Sequence, residues 1–190
     1  KRAGIKVIAI EGNHDKAFYL ERDSWMSFLH RQGYFMLLKP TLGLEGLEIS
    51  PYDGEQGSML TVPGIRFIGL GYLGATTKQR LGELDKILEP SEDFTIVLLH
   101  AGVDKLLGQD LAGVKGEVFS GFQDRVDYFA LGHIHSRQEL GALCFNPGAP
   151  ECVHIDEEKP GYEKGFYHVT VKGREKNVEF VPSRRRPVYR

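Results

Sequence analysis

Three short runs of β-branched and apolar residues end abruptly in clusters of polar, chemistry-bearing side chains. No other feature constrains the fold so tightly. Residues 5–10 lead into Gly12-Asn13-His14-Asp15, residues 94–99 into His100-Ala101-Gly102, and residues 126–131 into Gly132-His133-Ile134-His135. Apolar runs this short read as strands covered on both faces. In open α/β sheets the carboxyl ends of such strands share one edge, and that edge is where ligands bind.

Between these runs the pattern alternates. Apolar residues at helical spacing over residues 24–30 predict a helix with Ser24 or Asp23 as N-cap, Gly33 as its stop, and Trp25, Phe28 and Leu29 against the sheet. Residues 35–38 predict a short strand closed by Pro40. The Gly-rich segment 41–62 predicts short antiparallel pieces, and residues 65–70 resume a strand. Residues 77–88 show an amphipathic helical pattern with Leu81, Leu84, Ile87 and Leu88 inward, stopped by Pro90. Four glycines interrupt any long helix over residues 103–126, which reads as a surface loop bordering a cleft. Hairpins follow: 138–140 with 143–145, a turn at Asn146-Pro147-Gly148, then 165–171 with 178–181 about Lys172-Gly173. Helix–strand alternation followed by hairpins predicts an α/β sandwich of mixed β-sheets flanked by helices.

The 190 residues make a one-domain length, and 41% apolar with 26% charged residues is ordinary for a globular protein. A net charge of −2 and a pI near 6.4 exclude a domain whose whole surface attracts nucleic acid. Any such contact must come from a local patch or from bound metals. No apolar run approaches bilayer length and no signal segment opens the chain, so the cytoplasm is the expected compartment. Cys144 and Cys152 lack metal-finger or redox spacing and read as half-buried free thiols, with a disulfide as the alternative. The chain opens at Lys1 and enters a strand within five residues, which predicts a fragment without its amino-terminal portion.

Neutral imidazole is the commonest protein donor to zinc, manganese or iron, and amide or carboxylate oxygens complete harder sites. His133 and His135, two residues apart, project to one side of an extended backbone or splay toward two metals about 3.5–4 Å apart. Gly132 lets the backbone turn sharply before them. Asn13 offers an amide oxygen, or is an ordinary turn residue. His14 is a ligand or a donor toward a phosphate oxygen, with Asp15 beside it to orient the ring. His100 alone would pass for a satisfied core histidine. As a set, the three clusters favour a divalent-metal site for phosphate-ester chemistry. His30, His154 and His168 read as structural or surface residues. No Gly-x-Ser-x-Gly elbow, phosphate-binding loop or dinucleotide fingerprint competes.

Gly-Asn-His-Asp, a strand-end His-Ala-Gly and Leu-Gly-His-Ile-His, in this order, resemble the calcineurin-like metallophosphoesterases. Ser136 after the last motif, Asn146-Pro147-Gly148-Ala149-Pro150-Glu151 and Glu163-Lys164-Gly165-Phe166 look most like the SbcD-type DNA double-strand-break repair nucleases, from residue 5 to about residue 187. The resemblance implies a homodimeric parent that pairs with an SMC-like ATPase of the SbcC type and acts on DNA. It further implies two manganese ions and attack of metal-bound hydroxide on a phosphodiester. Residue by residue, it makes Asn13, His100 and His133 ligands of one metal and His135 a ligand of the other. His14 becomes the catalytic histidine at the scissile phosphate, supported by Asp15.

The family's Asp-x-His and Gly-Asp-x-x-Asp motifs, expected before Gly12, are absent, as is its carboxyl-terminal capping region. Residues 1–190 are therefore expected to form a single partial phosphoesterase domain, its carboxyl-terminal two-thirds. At most one metal should bind, weakly, and the chain alone should be inactive, with an exposed sheet face that favours self-association. Arg184-Arg185-Arg186 and Arg190 form the one basic cluster, either a solvated tail or a contact to DNA phosphate or a partner. Three functions compete: a DNA-end-processing nuclease, a small-molecule or nucleotide phosphatase or phosphodiesterase, and a non-catalytic interaction module with a degenerate metal site.

Overall fold

A computed structural model describes residues 4–15, 23–103, 113–154, 157 and 163–185. Parts of two sequence expectations, the loop over residues 103–126 and the basic cluster, lie outside this range at residues 104–112, Arg186 and Arg190.

The centre is a six-stranded mixed sheet in the order β5-β6-β7-β8-β10-β9. Its strands are β5 (Met59–Val62), β6 (Ile65–Gly71), β7 (Phe94–His100), β8 (Tyr128–Gly132), β9 (Gln138–Leu140) and β10 (Cys144–Asn146). β6, β7, β8 and β10 run parallel, while β5 and β9 pair antiparallel at the two edges. The expected α/β class with mixed strands is thus what the chain adopts. Helix α2 (Thr77–Ile87) and the single turn α3 (Glu117–Ser120) cover one face. Leu81 and Leu84 of α2 are fully buried there, with Val97, Leu99, Phe129 and Cys144 from the sheet and Phe119 and Phe122 from α3 and the turn after it.

The other face carries the hairpin β11 (Gly165–Lys172) with β12 (Glu175–Pro182). Strict alternation puts Tyr167, Val169, Val171 and Val178 against Phe94, Tyr128 and Phe145. On this face too, β1 (Ile8–Ala9) pairs in parallel with β2 (Met36–Leu37) as a separate two-stranded sheet. Gly69 of β6 makes room for it, since a Cβ there would lie 2.3 Å from Leu38 Cβ and 3.0 Å from Ile10 Cγ2. The segment expected to give short antiparallel pieces contains β3 (Thr41–Gly43), β4 (Gly46–Glu48) and β5.

Two helix expectations need correction. α1 (Trp25–Arg31) starts at the predicted Ser24 cap, whose side chain accepts from Ser27 N at 3.0 Å. It buries Met26, whereas Trp25 and Phe28 are 55% and 54% exposed. Among the described elements α1 packs on β2, and Met26 is its buried residue. In α2, Ile87 is exposed and Leu88 completes the inward set as the helix unwinds into it. The first predicted strand is also shorter than its apolar run: Ile5 and Val7 are exposed because no described element covers them. Cys144 is buried and Cys152 partly exposed, with no disulfide between them. No described helix is long and apolar enough to cross a membrane.

Candidate metal centre

Strand ends from three parts of the chain meet at one point. β7 closes on His100, β8 on Gly132 just before His133, and the segment after β1 turns at Asn13 and His14. Glycines on both sides let the His100 ring into this junction. A Cβ on Gly12 would sit 2.8 Å from His100 Cε1, and one on Gly132 would sit 3.1 Å from His100 Nδ1. The backbone of residue 11 is tied to the end of β6 by Tyr72 N donating to Glu11 O at 2.9 Å. That bond depends on the register shift between Gly69 and Gly71, where Gly71 takes φ +67°. Glu11 is itself held by Lys39 at 2.8 Å and by the Ser24 hydroxyl.

Three of the proposed donors converge. His100 Nε2 donates to Asn13 Oδ1 at 2.9 Å, and the His100 and His133 ring centroids are 5.1 Å apart. His133 is the one non-glycine with positive φ among the described residues, at 93°. Non-glycine residues held in such conformations cost of order 1–3 kcal/mol and gather at functional sites. Tyr72 stands against both rings, 6.0 Å from His100 and 5.8 Å from His133 between centroids. Burial, reinforced by His133, pushes the His100 pKa down to about 4, with Asp15 opposing. At neutral pH His100 is therefore the neutral imidazole, the form that ligates metal.

The other expected residues are placed differently. His14 is exposed at the mouth of the junction. Asp15 Oδ2 accepts from Gly12 N at 2.8 Å, so its carboxylate closes the loop that carries His14. The Nδ1 of His135 is engaged outside the junction: it donates to Glu157 Oε1 at 2.7 Å, and the ring stacks at 6.2 Å on His154. Glu157 also accepts from Lys164 Nζ at 2.6 Å. Burial raises the Glu157 pKa, but the bonds from Lys164 and His135 outweigh it and bring the carboxyl down to about 2.

Sequence reasoning missed Tyr72 and Glu157. Glu157 sits in an acidic run, Asp156-Glu157-Glu158, where no spacing marks one carboxylate over its neighbours. Tyr72 follows the Gly69-Leu70-Gly71 strand end, a position whose importance shows only once the bulge is known.

These donor types are ones a divalent cation accepts. Asn13, His100 and His133 supply two imidazoles and an amide with no carboxylate to balance charge. Among the described residues no three His, Cys, Asp or Glu side chains gather as a metal cage. An apolar cavity of about 950 Å³ between α3 and the β9–β10 hairpin, lined by Phe119, Leu140, Leu143 and Cys144, contains none of these strand-end groups.

No family model matches the chain. It is similar to the DNA double-strand break repair protein Mre11 of three archaea. It is 27% identical to that of Sulfurisphaera tokodaii over 86% of this chain and 39% of the relative. The figures are 28% over 86% and 39% for Saccharolobus solfataricus, and 27% over 100% and 44% for Archaeoglobus fulgidus. The chain thus spans about two-fifths of the length of the curated relatives it matches. Together with the mixed sheet and the convergence of strand-end donors, these similarities support the calcineurin-like metallophosphoesterase superfamily.

Proposed function

We propose that this chain is part of a metal-dependent DNA nuclease that processes double-strand breaks by phosphodiester hydrolysis. The observation that carries the reading is the convergence of Asn13, His100 and His133 at three strand ends. The similarity to Mre11 proteins supplies DNA as the substrate class. In this reading Asn13, His100 and His133 hold one divalent ion and His135 contributes to a second, manganese being the expected metal. When bound, such ions stabilise charge on the phosphoryl oxygens and lower the pKa of water. His14, exposed at the mouth, donates to the phosphate, and Asp15 fixes its loop. The remaining donors belong to the parent protein, so the chain alone is inactive and holds at most one ion.

The parent is further proposed to work as a cytoplasmic homodimer with an SMC-like ATPase of the SbcC type. The outward Trp25 and Phe28 on α1 are in keeping with self-association. The lack of a cage of three charged or imidazole donors among the described residues favours, as the second reading, an interaction module with a degenerate site.

A manganese-dependent nuclease assay on the parent protein separates them. His14→Ala should keep its metal yet lose about 100-fold or more in rate, as befits loss of a group acting on the reacting phosphate. Undiminished cleavage by that variant removes His14 from the mechanism, and no cleavage by the wild type favours the interaction module.

A further inference from the structure

Two late motifs, Asn146-Pro147-Gly148-Ala149 and Glu163-Lys164-Gly165, lie outside the donor set. Both close on His135. Asn146, only 3% exposed, donates from Nδ2 to Ile134 O and to Ser136 O, each at 2.8 Å. Ala149 N donates to the intervening His135 O at 3.1 Å. Gly148, at φ +78°, permits this approach, because a Cβ there would lie 2.6 Å from the same oxygen. Lys164, also only 3% exposed, donates from Nζ to His135 O at 3.0 Å and to Glu157 Oε2 at 2.6 Å. A buried ammonium needs a counter-charge, and the carboxylate that supplies it spends its second oxygen on His135 Nδ1.

We propose that Glu157, locked by Lys164, is a positioning residue for His135: it holds the ring proton on Nδ1 and leaves Nε2 bare as a donor toward the candidate metal centre. The tautomer of an imidazole is set by the hydrogen bond its other nitrogen makes, and carboxylates behind ligating histidines orient them in this way. Main chain and ring of His135 are thus both held. The proposal rests on the reading of His135 as a metal donor, but the ring state is measurable without metal. A purely structural Glu157, present only to neutralise Lys164, would leave the tautomer unaffected.

The test is imidazole ¹⁵N NMR of the whole chain, stripped of metal and held at alkaline pH. His135 should appear as the Nδ1–H tautomer in the wild type. E157A should move it toward Nε2–H, and E157Q, whose carbonyl oxygen still accepts, should restore Nδ1–H. In the parent protein, Zn²⁺, which does not broaden signals by proximity, should then shift the His135 Nε2 signal at about 10- to 100-fold higher concentration in E157A than in the wild type. Wild-type His135 as Nε2–H overturns the proposal even if E157A fails to fold, and so does a folded E157A with unchanged ring signals. The expected tautomer switch with no Zn²⁺-dependent shift at His135 in any variant of the parent upholds the positioning role and sinks the metal reading of His135.

Discussion

His133 holds a backbone conformation with φ 93°, in the region that favours glycine, and this is a site-specific cost within an otherwise relaxed strand end. His133→Gly should therefore make the chain about 1 kcal/mol more stable in urea unfolding, the strain relieved outweighing the added chain entropy. The same variant should bind Mn²⁺ at least about tenfold more weakly. A loss of stability would show that the conformation is not strained. His100 next to it adds a pH signature. Its pKa is about 4 in the folded protein, below the ordinary value of 6.5. The unfolded chain binds the proton first as pH falls, so stability is full above about pH 6.5 and declines progressively toward pH 4. In chelator-treated protein, His100→Gln should flatten that part of the pH profile in thermal melts. An unchanged profile would assign the acid sensitivity elsewhere.

At the level of elements, Gly69 is the residue that lets β1 and β2 lie on β6. Gly69→Ala places a methyl 2.3 Å from Leu38 Cβ and should destabilise by about 1–3 kcal/mol. The methyl also pushes Ile10, so metal affinity at Asn13 should fall with it; a variant of wild-type stability would mean the layers separate freely. The strand ends were legible in sequence because buried parallel strands read as unbroken apolar runs that stop at polar residues, as residues 94–99 do before His100. The identity of each strand's partner was not, because an apolar run does not encode whether it joins the main sheet, and β1 does not. Helical spacing likewise located α1 but not its rotation: Trp25 and Phe28 share one stripe and Met26 lies on another, and tertiary contact selected the smaller one. In the site, Asn13, His100 and His133 were legible from their positions after strands. Glu157 was not, because a carboxylate reaching across 22 residues to His135 leaves no local pattern.

For the molecule as a whole, two imidazoles and an amide at one junction, with the Nδ1 of His135 given to Glu157, predict unequal metal occupancy. Elemental analysis after dialysis against Mn²⁺ should find at most about one ion per chain, readily removed by a chelator. Two tightly held ions would contradict the assignment of the remaining donors to other parts of the parent.

Asn13 and His100, which touch at 2.9 Å, stand 87 residues apart in the chain. Their junction closes only after β6, β7 and β8 have zipped in parallel, a set of long-range pairings that form slowly. An ion that recognises the finished junction finds little of it in the folding transition state. Metal should thus leave the refolding rate nearly unchanged and act almost wholly by slowing unfolding, making the site a clasp fastened last and released first.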